Sequence, residues 1–188
     1  MFGFWAFFGL FLTMLSSPAG TVPALADQND SRLDALFERL KETDDPADAA
    51  GLQQRIWQIW IESDDAASSQ LMRRGMTAMA SGEHETALDA FDALVAQAPD
   101  FAEAWNKRAT VYYLLGRLDE SVSDIQQTLK LEPRHFGALS GLALIYDAID
   151  NPDAAIRSLE AALAINPHLQ GSQERIRQLR EKQRGTRT

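Results

Sequence analysis

Small and apolar residues recur along the middle of the chain with a period of 34 residues, and Pro99, Pro133 and Pro167 mark that period. Five sets of positions follow it: Leu71, Trp105 and Leu139; Gly75, Ala109 and Ala143; Ala78, Tyr112 and Tyr146; Ala87, Ser121 and Ala155; and Phe91, Ile125 and Leu159. Small side chains let two helix axes approach closely, while the large ones fill the remaining volume. A 34-residue unit is a helix pair that buries its apolar face only by stacking on neighbours, so the pattern predicts an all-α helical solenoid.

Turn residues divide each unit into two helices. Ser81-Gly82, Gly116 and Asp150-Asn151 stand between the helices of a pair, and such residues tolerate the left-handed backbone at a helix end. The period-marking prolines follow the second helix, where proline disfavours continuation of a helix.

The stretch Ala104-Trp105-Asn106-Lys107-Arg108-Ala109, together with Tyr112, Gly116 and Pro133, resembles the signature of the tetratricopeptide repeat (TPR) family. The resemblance implies a right-handed solenoid of three repeats, at residues 68–101, 102–135 and 136–169. It also implies the binding of proteins or peptides, and no particular chemistry.

Residues 27–66 predict an N-terminal helical hairpin that is a degenerate repeat. Extending the register backwards places Phe37 under Leu71, Trp57 under Phe91, and Trp60 under Leu94. One interpretation is that the hairpin caps the solenoid, as atypical terminal repeats do. The other is that its tryptophans bind a partner. At the other end, residues 170–188 predict a basic capping helix and tail, with Ile176 and Leu179 facing inward.

Residues 1–26 contain no charged side chain, and an apolar core of about 14 residues is followed by Ala24-Leu25-Ala26. This pattern predicts a signal peptide that is cleaved after Ala26, and hence an exported protein, periplasmic in a Gram-negative cell. No lysine or arginine precedes the apolar core, so an uncleaved anchor in the inner membrane stays open as an alternative. The chain has no cysteine, which excludes disulfides and lipid attachment at a cleavage-site cysteine.

The net charge is −9, and residues 170–188 carry net +4, which leaves −13 on residues 27–169. An acidic body excludes nucleic acid as a partner, because nucleic-acid binding requires a basic surface. The basic tail either pairs with the acidic surface of its own chain or contacts an anionic lipid or partner. Membrane contact is thus expected only through this tail or an uncleaved N-terminal segment.

No catalytic constellation is found in the sequence. His84, His135 and His168 fall in three separate turn or loop regions and lack the spacing of a helical zinc site. No phosphate-binding loop or nucleophile motif occurs. We therefore expect no enzymatic activity, no metal and no cofactor.

In such a stack the first helix of each pair lines the concave face, which makes that face the candidate groove for a protein or peptide partner. Its predicted lining is Met72, Arg73, Met76, Asn106, Lys107, Thr110, Tyr113, Gly137, Ser140, Gly141, Leu144 and Asp147. Some family members grip a peptide carboxylate with lysine, asparagine and arginine; here methionines and glycines stand at most of those places, so that clamp is not expected. Gly137 and Gly141 lie four residues apart on one face. They either leave room for a ligand, allow tight packing of the neighbouring helix, or reflect simple sequence drift.

The sequence as a whole predicts an exported, non-catalytic scaffold that binds a peptide or partner protein in its concave groove, in the assembly of envelope complexes. The alternative is a structural assembly factor that an uncleaved N-terminal segment holds in the inner membrane.

Overall fold

Helices begin and end where the sequence places its turn and capping residues, in a computed structural model that describes residues 27–185. The elements in chain order are a short 3-10 helix at Asp27–Asn29, α1 (Arg32–Glu42), α2 (Pro46–Ile61), α3 (Ala66–Ala80), α4 (His84–Gln97), α5 (Ala102–Leu114), α6 (Leu118–Leu131), α7 (Phe136–Ala148), α8 (Pro152–Ile165) and α9 (Ser172–Gly185). The predicted signal peptide and its cleavage site lie outside the described residues.

The helices stack in pairs, α3 with α4, α5 with α6, and α7 with α8, so the all-α solenoid is confirmed. The turn inside each pair carries one residue of positive φ: Gly82 (74°), Gly116 (73°) and Asp150 (57°). The same backbone hydrogen bond closes each turn, from the amide of Glu83, Arg117 or Asn151 to the carbonyl of Ala78, Tyr112 or Tyr146. Glycine adopts this conformation without strain, and aspartate is among the residues that tolerate it.

Close helix packing explains the small residues of the repeat. A Cβ atom on Gly75 would lie 2.5 Å from Cζ of Phe91, and Phe91 is completely buried. The corresponding Ala109 and Ala143 are also buried. The small positions therefore allow the two helices of each pair to approach, as the sequence predicts.

The N-terminal hairpin, formed by α1 and α2, does not stack on α3 as a preceding repeat would. Its apolar side chains instead pack against residues near the loops that join the repeats, in one cluster with Phe136 at the start of α7 and Ala162 of α8. The backward register is therefore wrong for the tryptophans, because Trp57 and Trp60 contact His135 and Phe136 rather than α4. The tryptophans bury their apolar surface against the loop between the second and third repeats, where His135 and Phe136 lie.

Helix α9 packs on α8 through Ile176 and Leu179, which join Ala155 and Leu159 in one apolar cluster. Its outward basic residues form ion pairs with the acidic surface of the preceding repeat: Arg175 with Asp147, Arg180 with Glu160, and Lys182 with Asp150. For these three residues the first interpretation of the basic tail holds, because they pair with acidic residues of their own chain. Within residues 27–185, no helix has the length and apolar character needed to cross a membrane.

Candidate functional site

A pocket of about 240 Å³ opens between α5 and α7 on the face formed by the first helices of two repeats. It is lined by seven of the predicted groove residues, Asn106, Thr110, Tyr113, Gly137, Ser140, Gly141 and Leu144, and by four residues of the packing core, Ala109, Ser121, Ile125 and Ile145. We call it the groove pocket. Seven of the twelve predicted groove residues thus line one cavity between α5 and α7.

The groove pocket has an uncharged and largely apolar lining. The hydroxyls of Thr110, Ser121 and Ser140 donate to carbonyl oxygens of Asn106, Ala109 and Phe136, at 2.9, 2.7 and 2.8 Å. These donors are therefore already satisfied within the chain, and their oxygens can still accept. Leu144 stands at the rim with 52% of its surface exposed. Such a lining suits an aliphatic side chain better than a carboxylate.

The other five predicted groove residues lie elsewhere. Met72 is only 2% exposed and belongs to the core beneath α3. Arg73 and Met76 are exposed, and they line a separate depression beside the connection between α2 and α3. Asp147 is held by Arg175 of α9.

Lys107, the fifth of these residues, points to a buried carboxylate. Its ammonium lies 2.9 Å from Oε1 of Glu103, which is fully buried. The other oxygen of Glu103 accepts from Nδ2 of Asn106 at 2.9 Å and lies 2.7 Å from Nε2 of His135. The amide of Ala138 donates to Nδ1 of His135, so Nε2 is the nitrogen that donates to Glu103.

This network keeps Glu103 ionised in the interior. Burial alone would raise the pKa of its carboxyl, but the charge of Lys107 and the hydrogen bond from His135 outweigh burial and hold the pKa below its ordinary value. Glu103 and His135 are both enclosed, so no substrate reaches them. The pair fixes the start of α7 against α5 and is unsuited to acid-base catalysis.

Trp57 of the N-terminal hairpin occupies the space beside Gly137. A Cβ atom on Gly137 would lie 2.5 Å from Cη2 and 2.8 Å from Cζ2 of Trp57. The Lys107 ammonium lies 5.2 Å from the centre of the Trp57 ring. Of the open interpretations, close helix packing therefore holds for Gly137.

Gly141 differs from Gly137. The nearest atom to a Cβ at Gly141 is Cδ1 of Ile125 at 3.7 Å, an ordinary contact, and the residue faces the groove pocket. Space for a ligand therefore exists at Gly141 and not at Gly137.

The Glu103–His135 pair could not be predicted from the sequence, because the two residues stand 32 positions apart, near opposite ends of the second repeat. The sequence did indicate that the tryptophans of the hairpin need a surface. Gly137 marks where that surface lies, but the sequence does not show that the side chain packed there is that of Trp57. No group of three or more potential metal ligands occurs in the described part of the chain.

Two comparisons of sequence place these features among known proteins. The family model described as "Tetratricopeptide repeat" matches residues 72–125 and 119–169. A TPR repeat-containing protein of Rhizobium etli is 40% identical over 157 residues, which cover 84% of this chain and 77% of the relative.

Solved TPR structures share the fold at lower identity. The first TPR of Spaghetti (RPAP3), bound to the HSP90 peptide SRMEEVD, is 18% identical with a TM-score of 0.60, over 63% of this chain and 94% of that one. MamA is 19% identical with a TM-score of 0.60, over 78% and 84% of the two chains. At this identity the likeness concerns the fold.

The contact between Trp57 and Gly137 predicts that Gly137→Ala changes the free energy of unfolding in opposite directions with and without the indole. Gly137→Ala should destabilise the wild-type chain by about 1–3 kcal/mol, because the new methyl group overpacks against the indole. In a Trp57→Ala background the same change should stabilise by about 1 kcal/mol, because alanine is the better helix former. Urea unfolding followed by circular dichroism measures both values. Gly51→Ala, whose Cβ would meet no atom within 4 Å, is the control and should stabilise both backgrounds equally.

The low pKa of Glu103 predicts a pH-dependent difference between wild type and Glu103→Gln. A carboxyl with a lowered folded-state pKa contributes stability above its unfolded pKa of about 4.3, and loses it as the pH falls through the folded value. We expect the variant to be less stable by about 3 kcal/mol at pH 7. The difference should shrink as the pH is lowered towards 3. Glu120→Gln, at an exposed carboxylate, should have little effect at either pH, and a constant gap for Glu103→Gln would contradict the assignment.

Proposed function

The chain belongs to the tetratricopeptide repeat family, and from that premise we propose that it is an exported scaffold that binds a partner segment in the groove pocket. Domains of this family bind peptides and proteins and are typically non-catalytic. The proposed partner is a peptide or a protein of an envelope complex that is being assembled. The bound segment inserts a side chain between α5 and α7.

The observation that carries this proposal is the groove pocket itself. It lies between α5 and α7, its lining includes seven residues assigned to the groove from sequence, and it includes the exposed Leu144. Burying a fully exposed leucine contributes about 1.5–3 kcal/mol, so covering the exposed half of Leu144 contributes about half of that amount. Gly141 keeps the pocket open at its centre.

The chemistry of the partner differs from that of the acidic HSP90 peptide bound by RPAP3. That peptide carries two glutamates and an aspartate, whereas the groove pocket is lined by no charged residue. The ammonium of Lys107, another predicted groove residue, is already paired with Glu103. The proposed ligand is therefore a segment whose inserted side chain is uncharged.

Two exposed leucines provide a matched test of the binding site. Leu144 lines the groove pocket, while Leu114 is comparably exposed, at 47%, and does not line it. A peptide selected against residues 27–188 from a displayed random library serves as the probe. Leu144→Ser should weaken its binding about tenfold, equivalent to 1.4 kcal/mol, and Leu114→Ser should leave it unchanged. Equal losses in both variants would remove the groove pocket as the site.

Export is proposed from the apolar, uncharged sequence of residues 1–26. Expression of the full chain in a Gram-negative host, followed by fractionation and intact-mass measurement, tests it. We expect a periplasmic product that begins at Asp27. A product that retains Met1 and fractionates with the inner membrane would support the anchored alternative, and an intact cytoplasmic product would contradict export altogether.

A further inference from the structure

We propose that the outer groove of the N-terminal hairpin, between α1 and α2, is a second docking site, which binds an acidic amphipathic helix of a partner protein. We call this groove the hairpin cleft; its lining extends from Arg32 to Arg39 on α1 and from Arg55 of α2 to Glu62, the residue that caps α2. The hairpin cleft and the groove pocket have no lining residue in common. The proposed site therefore adds to the proposed function and does not depend on it.

The hairpin cleft has a shape that suits a third helix. It is a cavity of about 380 Å³, and its lining residues stand at positions i, i+3, i+4 and i+7 along each side. This spacing keeps them on one helical face over two turns, a length of about 10 Å. Six of the eight lining residues are exposed, so the cleft is open to solvent. A groove of this kind between two packed helices accepts the side chains of an incoming helix.

The floor of the hairpin cleft is apolar and is held in place by the core. Ile59 is only 4% exposed and belongs to the apolar cluster that contains Phe136, and the half-buried Leu36 packs against the same cluster. Ala35 adds an exposed methyl group. Aliphatic side chains that enter the cleft therefore exchange water for an apolar surface that is already formed.

The charge of the hairpin cleft is opposite to that of the protein as a whole. Three arginines, Arg32, Arg39 and Arg55, line the cleft together with one carboxylate, that of Glu62, so the lining carries net +2. The whole chain carries −9. A ligand with apolar side chains on one face and carboxylates beside them is complementary to this lining. This complementarity identifies the partner as an acidic amphipathic helix.

The guanidinium groups of the cleft are available to a partner. Arg55 is exposed, and it forms no hydrogen bond or ion pair with any of residues 27–185. Arg32 and Arg39 do pair with neighbouring carboxylates, those of Asp30, Glu62 and Asp48. The side chains of these two arginines are 59% and 57% exposed, however, and ion pairs between exposed groups contribute little to stability. Both arginines can therefore exchange one carboxylate for another at small cost.

The C-terminal end of the protein contains a related arrangement with the charges reversed. Helix α9 covers the preceding pair with Ile176 and Leu179, and its basic residues pair with carboxylates beside that contact, as Arg180 does with Glu160. A basic amphipathic helix thus lies on a helix pair with acidic flanks. The hairpin is a helix pair with basic flanks, and no helix within the described residues covers its cleft. A second copy's α9 is basic and would be repelled, so the proposed occupant is a different protein.

A displayed library of helical peptides tests this site. Each peptide carries leucine at positions i, i+3, i+4 and i+7, with Glu, Gln or Lys at random beside them. Selection against residues 27–188 should enrich Glu at the flanking positions, although the protein itself is acidic. For the best peptide, Arg55→Glu should raise the dissociation constant about tenfold or more, because like charges then meet. Arg74→Glu is the matched control and should have little effect, since Arg74 is also exposed, has no partner among residues 27–185 and lies outside the cleft.

A charge exchange distinguishes recognition from a change in folding. Each flanking Glu of the best peptide is replaced by Lys in turn. One of these replacements should restore binding to Arg55→Glu and weaken binding to wild type, because the new pair has its charges reversed. Circular dichroism should show the same helix content in wild type, Arg55→Glu and Arg74→Glu.

Ala35→Glu provides a second test if Arg55→Glu alters the helix content, since it places a carboxylate on the floor of the cleft and should also weaken binding. Its control is Ala96→Glu, at an exposed alanine of α4. Selected peptides rich in Lys, or equal losses with Arg55→Glu and Arg74→Glu, would overturn the hairpin cleft as a site.

Leu144→Ser separates the two proposed sites. Peptides that Arg55→Glu weakens and Leu144→Ser does not would support the hairpin cleft. Peptides that Leu144→Ser weakens and Arg55→Glu does not would overturn the hairpin cleft and leave the proposed function standing.

Discussion

No helix pair of this protein can bury its apolar face alone, and the rest of the structure follows from that constraint. Each pair has an apolar surface on both of its sides, and the neighbouring pairs cover these surfaces. The close approach this requires is visible at Gly75, where Phe91 fills the position of the missing side chain. At the C-terminal end, α9 covers the last pair with two apolar side chains and turns its arginines outward.

At the N-terminal side the chain satisfies the same constraint in a different way. The hairpin packs its large apolar side chains in one cluster with Phe136 at the start of α7 and Ala162 of α8. This placement brings Trp57 against Gly137 of α7. The hydrogen bond between His135 and the Glu103 carboxylate lies beneath aromatic rings, which exclude water and strengthen it.

The periodic part of the fold could be predicted from the sequence, because a period is a local and repeated signal. Tyr112, Gly116 and Pro133 each predict the same local structure as their counterparts 34 residues away. The docking of the hairpin could not be predicted in this way, since it has no period and depends on contacts such as that of Trp57 with Gly137, 80 residues later in the chain. The ion pair between Lys107 and Glu103 could not be predicted for a related reason. A spacing of four on a helix shows that two charged residues can form an ion pair, but not that Glu103 is buried.

The two glycines of α7 separate packing from function within one helix. Each lowers helix propensity by about 1 kcal/mol relative to alanine. At Gly137 the loss is offset, because the backbone receives the edge of an indole that would otherwise be more exposed to water. At Gly141 no such compensation exists: the nearest atom would be an ordinary 3.7 Å neighbour, and the space it leaves belongs to the groove pocket. A helix position that gives up stability without a packing gain is expected where a site must stay open. Gly141 therefore faces the candidate binding pocket, and Gly137, one helical turn earlier, marks the place where Trp57 of the hairpin packs against α7.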